Sequence, residues 1–255
     1  VHYDPLQNFS MSSTNKLFPE ISWRGIPGKS SQGLLGYGLE PSNIGMQTYL
    51  MGYKVLFNLL EQIVKMKSLT DKTNQELAER IWELRHNLGE LQFTDKDVFN
   101  TIDSPSHRYA MTVDRPGDPI FLNSKLLLPG RKTTIEDAVS LLGHELGHHL
   151  GVKDGPRRIL DKLGADLKAE LEKYSEKRTI QTHNGKNVEV VIYHFKKVNG
   201  REFSQLLLRD DSGWVDLTPG FFRNIEGQKQ DYQLVNLRSA TVDQYSNVDS
   251  VAFKV

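Results

Sequence analysis

Three histidines, one glutamate and one aspartate lie within the eleven residues "HELGHHLGVKD", 144–154. His144 and His148 are four residues apart, so on a helix their imidazoles lie on one face, where they could hold a single metal ion. Glu145 is rotated by about 100° from His144 around such a helix, so its carboxylate lies beside the ion without binding it. The pattern predicts hydrolysis with Zn²⁺: the ion activates a water molecule, and Glu145 takes the proton and passes it to the leaving amine.

A zinc site with three protein ligands needs one more donor, and several acidic residues follow. Gly151 can turn the chain at the end of the helix, because glycine accepts a positive φ, and Asp154 comes three residues later. Asp154 could then bind the ion, or it could simply cap the following helix as part of the turn "DGP". The other candidate ligands lie on that next helix and are Asp161, Asp166 and Glu170.

This stretch resembles the metzincin clan of zinc peptidases, whose extended motif is His-Glu-x-x-His-x-x-Gly-x-x-His. His144, Glu145, His148 and Gly151 match the motif position for position, and Asp154 stands where the third histidine would be. An aspartate at that place occurs in some secreted bacterial neutral proteases. The resemblance implies zinc ligands at His144, His148 and Asp154, with Glu145 as the catalytic residue. It also implies a peptide or protein substrate and a secreted or periplasmic location.

The resemblance covers about residues 100–175, and besides the aspartate at 154 it lacks another feature of the clan. Metzincins have a methionine turn beneath the metal and downstream of the motif, whereas the last methionine here, Met111, precedes the motif. In zinc peptidases of the gluzincin type the third ligand is an acidic residue on a later helix, a place that Asp166 could fill. His149 follows directly on His148 and therefore points about 100° away from it, at the surface or behind the ligands.

Apolar residues that recur at helical spacing predict the elements that must position this site. The four predicted helices cover about 45–68, 74–88, 134–150 and 156–174. Thr73 with Glu76, and Thr133 with Glu136, have the spacing of capping boxes at the starts of the second and third helices. Pro156 is predicted at the first position of the fourth helix.

Strand patterns fill the rest of the chain. The runs 107–113 and 119–128 precede the third helix, and the second of them could be an edge strand that substrate joins, or equally a buried strand. The strand-like runs of the C-terminal part are "NVEVVIYHF", "EFSQLLLRD", "GWVDL", "DYQLVNLRS" and "SVAFKV". We therefore predict an α+β chain with an extended N-terminal arm (1–44), a zincin-like catalytic domain (45–178) and a β-rich C-terminal part (179–255).

Composition argues against several classes of protein. Thirty-two basic and thirty-two acidic residues give a net charge of zero, so there is no global positive field to attract nucleic acid. The chain has no cysteine, which rules out disulfides and thiolate zinc sites. The longest apolar stretch, 44–66, contains Lys54, Asn58 and Glu61, so we expect no membrane span there.

Two other functions fit the same residues. One is a binding or structural protein on a degenerate peptidase scaffold, although an intact Glu145 would serve no purpose there. The other is a metal-dependent amidase that acts on an amide outside proteins.

Overall fold

In a computed structural model of the chain, the described residues are 2–3, 44–87, 89–94, 109–112, 115–127, 133–181, 187–196, 202–210, 213–216, 239–245 and 248–254. Most of the predicted N-terminal arm, and the run "DYQLVNLRS" except its last residue, lie outside them. The architecture is α+β, as predicted. The described residues divide into two compact units, one that ends at Lys173 and one that begins at Tyr174 and includes the strand at residues 2–3.

Helix α1 (Ile44–Met66) is the most deeply buried helix of the first unit. Its apolar residues face the core as the helical period predicts, and several of them are fully inaccessible to solvent: Val55, Leu56, Leu59, Leu60 and Ile63. Helix α1 packs directly against the third helix, which carries the histidines. No helix in the described part of the chain is long and apolar enough to cross a membrane.

Helix α2 (Lys72–Glu83) continues into a short 3-10 helix (Leu84–His86). The predicted capping box of Thr73 with Glu76 is wrong, because the helix begins two residues earlier than that pairing requires. Asp71 is the N-cap, and its carboxylate accepts a hydrogen bond of 3.1 Å from the backbone N–H of Asn74. An aspartate at the N-cap satisfies the same free N–H groups that a capping box would.

Three short strands form a mixed sheet in the first unit: β2 (Leu91–Thr94), β3 (Ala110–Thr112) and β4 (Ile120–Asn123). Strand β4 lies between the other two, parallel to β2 and antiparallel to β3. Of the two alternatives for the run 119–128, the edge strand is therefore wrong and the buried strand is right, because β4 has a neighbour on each side. Among the described strands it is β3 that lies at the edge next to the histidine helix.

Helix α3 (Ile135–His148) carries the histidine pattern and begins one residue later than predicted. Its capping box is formed by Thr134 and Asp137, not by Thr133 and Glu136. Both pairs have the required spacing, and packing decides between them. Asp137 also binds Lys168 of the next helix at 2.6 Å and therefore has to remain at the helix surface, whereas the side chain of Glu136 is buried.

Helix α4 (Ile159–Glu172) starts later than predicted, because Pro156 belongs to a turn. The backbone N–H of Arg158 donates to the carbonyl of Gly155 at 2.9 Å, which makes Pro156 the second residue of that turn, where its fixed φ is favourable. Arg158 takes a left-handed conformation with φ of 48° and leads directly into the helix.

Helices α3 and α4 approach each other closely because glycines line their contact. A Cβ atom at Gly164 of α4 would lie 2.6 Å from the carbonyl oxygen of Ser140 in α3. Cβ atoms at Gly143 and Gly147 of α3 would lie within 2.3 Å of Leu167 and Leu160, respectively. At Gly143 and Gly147 a leucine side chain could move to make room, whereas at Gly164 the obstacle is backbone, so the spacing of the two helices depends most on Gly164.

The second unit is built from antiparallel strands. Its larger sheet has the order β5 (Ser175–Gln181), β6 (Asn187–Lys196), β7 (Glu202–Asp210) and β8 (Gly213–Asp216). A smaller sheet pairs β9 (Ser239–Tyr245) with β10 (Val248–Lys254), and β10 also pairs with β1 (His2–Tyr3). Strands β6, β7, β8 and β10 correspond to predicted runs, whereas β5 and β9 were not predicted. The second unit is thus rich in β-strands, as the sequence pattern of the C-terminal part predicts.

We predict that Gly164→Ala lowers the free energy of unfolding by about 1–2 kcal/mol. The added methyl group would meet backbone of α3, and overpacking of this kind outweighs the gain of about 1 kcal/mol in helix propensity. Urea unfolding measures the change. Ala165→Gly, at an exposed position of the same helix, is the control and should lose only the propensity term. A Gly164→Ala protein more stable than the wild type would contradict close packing at this contact.

Candidate metal centre

Helix α3 places His144 and His148 one turn apart on the same face. The centroids of their rings are 5.1 Å apart, and both side chains are largely buried but reach solvent. The opposite side of the helix is held in the core by Leu142 and Leu146, neither of which is accessible. The geometry that the four-residue spacing predicts is therefore present.

The chain reverses direction directly after α3. Gly151 has a φ of 75°, which glycine adopts without strain, and nothing lies within 4 Å of the place where its side chain would be. The next residue, Val152, presents its carbonyl oxygen to Nδ1 of His148 at 2.8 Å. Two residues later, Asp154 lies over the two imidazoles.

The carboxylate of Asp154 approaches the same ring nitrogen of both histidines. Oδ1 lies 3.4 Å from Nε2 of His144, and Oδ2 lies 3.7 Å from Nε2 of His148. Donor atoms around a tetrahedral zinc ion, at bond lengths of about 2.0–2.1 Å, lie about 3.3 Å from one another. The three side chains thus offer donor atoms, all within 4.8 Å of one another, that could hold such an ion.

Each histidine has a partner on its other ring nitrogen. A carbonyl oxygen can only accept, so Nδ1 of His148 carries the proton that it donates to Val152, and in the neutral ring the lone pair is then on Nε2. Nδ1 of His144 lies 3.2 Å from Oδ1 of Asp161. Both rings therefore turn Nε2 toward Asp154.

The electrostatic surroundings favour a neutral His144, which is the form that binds metal. Burial of the ring lowers the pKa of His144, and the neighbouring imidazole of His148 lowers it further. Asp154 and Asp161 act in the opposite direction without reversing the shift. Near neutral pH, His144 is accordingly an imidazole with a lone pair to donate.

Glu145 follows His144 on α3 and is buried, with 5% of its surface accessible. Asp154, by contrast, has 62% of its side chain exposed. Asp154 therefore lies on a side of the cluster that is open to solvent.

The other acidic residues considered as ligands lie elsewhere. Asp166 accepts a hydrogen bond of 2.8 Å from the side chain of Asn74 on α2, so its carboxylate is directed at another helix. Glu170 is buried and forms an ion pair with Lys173. Asp161 does approach the cluster, but at the ring nitrogen of His144 that faces away from Asp154.

His149 is buried, so its placement at the surface is wrong. Its Nε2 lies 2.6 Å from the hydroxyl of Thr112 on β3, and that hydroxyl donates to the carbonyl of Pro119 at 3.1 Å. The Thr112 hydroxyl has a single proton, which it donates to Pro119. In its contact with His149 the hydroxyl oxygen therefore accepts, and Nε2 of His149 is the donor. This chain of hydrogen bonds joins the end of α3 to the edge strand. The sequence carries no signal for it, since the partners lie on separate elements.

No family model matches the chain, and no curated protein or solved structure is detectably similar to it.

We predict that Thr112→Val lowers the free energy of unfolding by about 1–3 kcal/mol. The substitution keeps the shape of the side chain but leaves the buried N–H of His149 without this acceptor, and the cost is that of an unmade hydrogen bond. Thr112→Ser is the matched control, because it retains the hydroxyl and should lose much less. Urea denaturation of the three proteins gives the comparison. Equal losses in the two variants would show that the hydroxyl contributes nothing.

Proposed function

We propose that the chain is a zinc-dependent peptidase in which His144, His148 and Asp154 hold the ion and Glu145 is the general base and acid. The observation that carries the proposal is that two imidazole Nε2 atoms and one carboxylate lie close together, with donor atoms within 4.8 Å of one another. A buried glutamate on the same helix, next to the first histidine, adds the group that hydrolysis requires. Histidine pairs alone occur in many proteins. It is the combination of this pair with an aspartate and a neighbouring glutamate that favours hydrolysis over simple metal binding.

The donor set suits the proposed ion. Imidazole nitrogen and carboxylate oxygen are ordinary zinc ligands, and catalytic sites have three of them with one position left for water or substrate. When bound, zinc supplies Lewis acidity that brings the pKa of a water molecule to about 7. Because His144 and His148 are neutral as ligands, the single charge of Asp154 leaves most of that acidity intact.

Glu145 would move the proton. It follows His144 on the same helix and is rotated by about 100° from it, so its carboxylate would stand beside the ion without binding it. It takes a proton from the attacking water and delivers it to the nitrogen of the departing amine, so that the peptide bond breaks without expelling an amide anion.

The position of strand β3 supports a peptide as the substrate. It lies at the edge of the described sheet, packs against α3, and is tied to it through His149 and Thr112. An extended peptide could add to this edge and lie across the cluster. We extend the proposal to a zincin-like arrangement of α1, α3 and the mixed sheet. A secreted or periplasmic location belongs to the same proposal, because it rests on the resemblance to secreted proteases.

We predict that the wild-type protein binds about one zinc ion per chain and that Asp154→Ala loses it. Asp154→His should retain zinc, since the motif then reads as a three-histidine site. The matched control is Asp166→Ala, which should keep zinc while it loses the hydrogen bond to Asn74. Elemental analysis after dialysis, together with melting temperatures, measures these effects. Zinc retained by Asp154→Ala but lost from Asp166→Ala would reverse the assignment.

We predict that Glu145→Gln keeps zinc and loses hydrolysis by about two orders of magnitude or more, the size expected when a general base is removed. The amide is nearly isosteric with the carboxylate but cannot accept the proton of water. Glu76→Gln, at an exposed position on α2, is the control for the same chemical change. The assay follows cleavage of a mixed peptide library by zinc-loaded protein. Cleavage by Glu145→Gln at the wild-type rate, or none by the wild type, would contradict the proposal.

A further inference from the structure

Asp161 lies against the candidate metal centre without being one of the residues that converge there. Its Oδ1 is 3.2 Å from Nδ1 of His144, while Asp154 approaches Nε2 of the same ring. An imidazole binds one metal ion through one nitrogen, so a carboxylate at the opposite nitrogen serves another purpose. A carboxylate oxygen at this distance can accept the N–H of the neutral ring.

We propose that Asp161 is a positioning residue for His144: it accepts the proton on Nδ1, fixes that tautomer and ring orientation, and so directs the Nε2 lone pair toward Asp154. The inference rests on the proposed zinc site and deepens it. The same task at His148 is performed by the backbone carbonyl of Val152. Histidine ligands of metal ions commonly donate their second N–H to a carboxylate or a carbonyl, and here one ring has each kind of partner.

The packing of α4 explains why Asp161 stands at this place. The residue lies in the first turn of α4, and that helix approaches α3 closely at Gly143 and Gly147, the residues that precede the two histidines. The second carboxylate oxygen of Asp161 lies 3.4 Å from Nε of Arg158. One carboxylate oxygen thus faces His144 and the other faces Arg158, although more than half of the side chain is exposed.

Two other roles for Asp161 have to be separated from this one. An acidic residue in the first turn of a helix is favourable in itself, because it faces the positive end of the helix dipole. That role would change stability and leave the ring of His144 unaffected. The second role is direct binding of zinc, for which Asp161 would have to replace Asp154 or add to it.

The experiment compares Asp161→Ala and Asp161→Asn with the wild type. In the metal-free proteins, long-range ¹H–¹⁵N correlation spectra report which nitrogen of His144 carries the proton. We expect Nδ1–H in the wild type, a mixture of tautomers in Asp161→Ala, and Nδ1–H in Asp161→Asn, whose amide oxygen still accepts. Glu172→Ala, which removes an acidic residue from the far end of α4, should resemble the wild type.

Zinc affinity, measured by competition with a chromophoric chelator, should fall by about 10-fold or more in Asp161→Ala, the range found for orienting partners of metal ligands. Asp161→Asn should fall between Asp161→Ala and the wild type. The visible spectrum of the cobalt-substituted protein should keep its band positions, since no ligand is lost. An unchanged tautomer in Asp161→Ala would overturn the proposal, and so would cobalt bands in Asp161→Ala that move away from their wild-type positions, because such a shift would mean that a ligand had been lost. Neither readout depends on peptidase activity, so the proposed catalysis can fail without affecting this result.

Discussion

The candidate site depends on the close contact between helices α3 and α4. Gly164 lies against the backbone of Ser140, and Gly143 and Gly147 leave room for leucines of α4. A larger side chain at any of these positions forces a movement, and at Gly164 the obstacle is backbone, which cannot turn aside. The same contact brings the first turn of α4, with Asp161, to the ring of His144. Packing in the core thereby sets the orientation of a polar group at the surface.

A second constraint is the reversal of the chain after α3. The positive φ of Gly151 lets Val152 return to His148 and lets Asp154 lie over both rings within three residues. A tether this short leaves little conformational entropy to lose when the carboxylate approaches the histidines. Together, the helix contact and the reversal place an oxygen atom near both Nδ1 atoms, and both Nε2 atoms face one carboxylate.

The helices and the cluster of His144, His148 and Asp154 could be predicted because their determinants are local. The helical period fixes the relation of the two histidines, and a glycine followed by a short tether fixes the aspartate. Helix starts were less certain, since Thr133 and Thr134 both have an acidic residue three positions later, and only the contact of Asp137 with Lys168 distinguishes them. The position of β4 between β2 and β3 depends on pairing with residues distant in the sequence, which periodicity does not report.

The roles of Asp161, His149 and Thr112 could not be predicted for the same reason. Each contact joins different elements and exists only once those elements have packed. Strand β5 was missed because "SEKRTIQ" is polar and has no apolar alternation, and it is defined by its pairing with β6. The cluster of His144, His148 and Asp154 could thus be predicted from the sequence, whereas the contacts that surround it follow only from the fold.

The central claim is that His144, His148 and Asp154 bind one zinc ion. Diffraction data from zinc-loaded crystals, collected on both sides of the zinc absorption edge, test it most directly. The account predicts one anomalous peak per chain at about 2.0–2.2 Å from Nε2 of both histidines and from a carboxylate oxygen of Asp154. Zinc-loaded crystals with no peak between these three side chains, or with a peak that Asp154 does not contact, would contradict it.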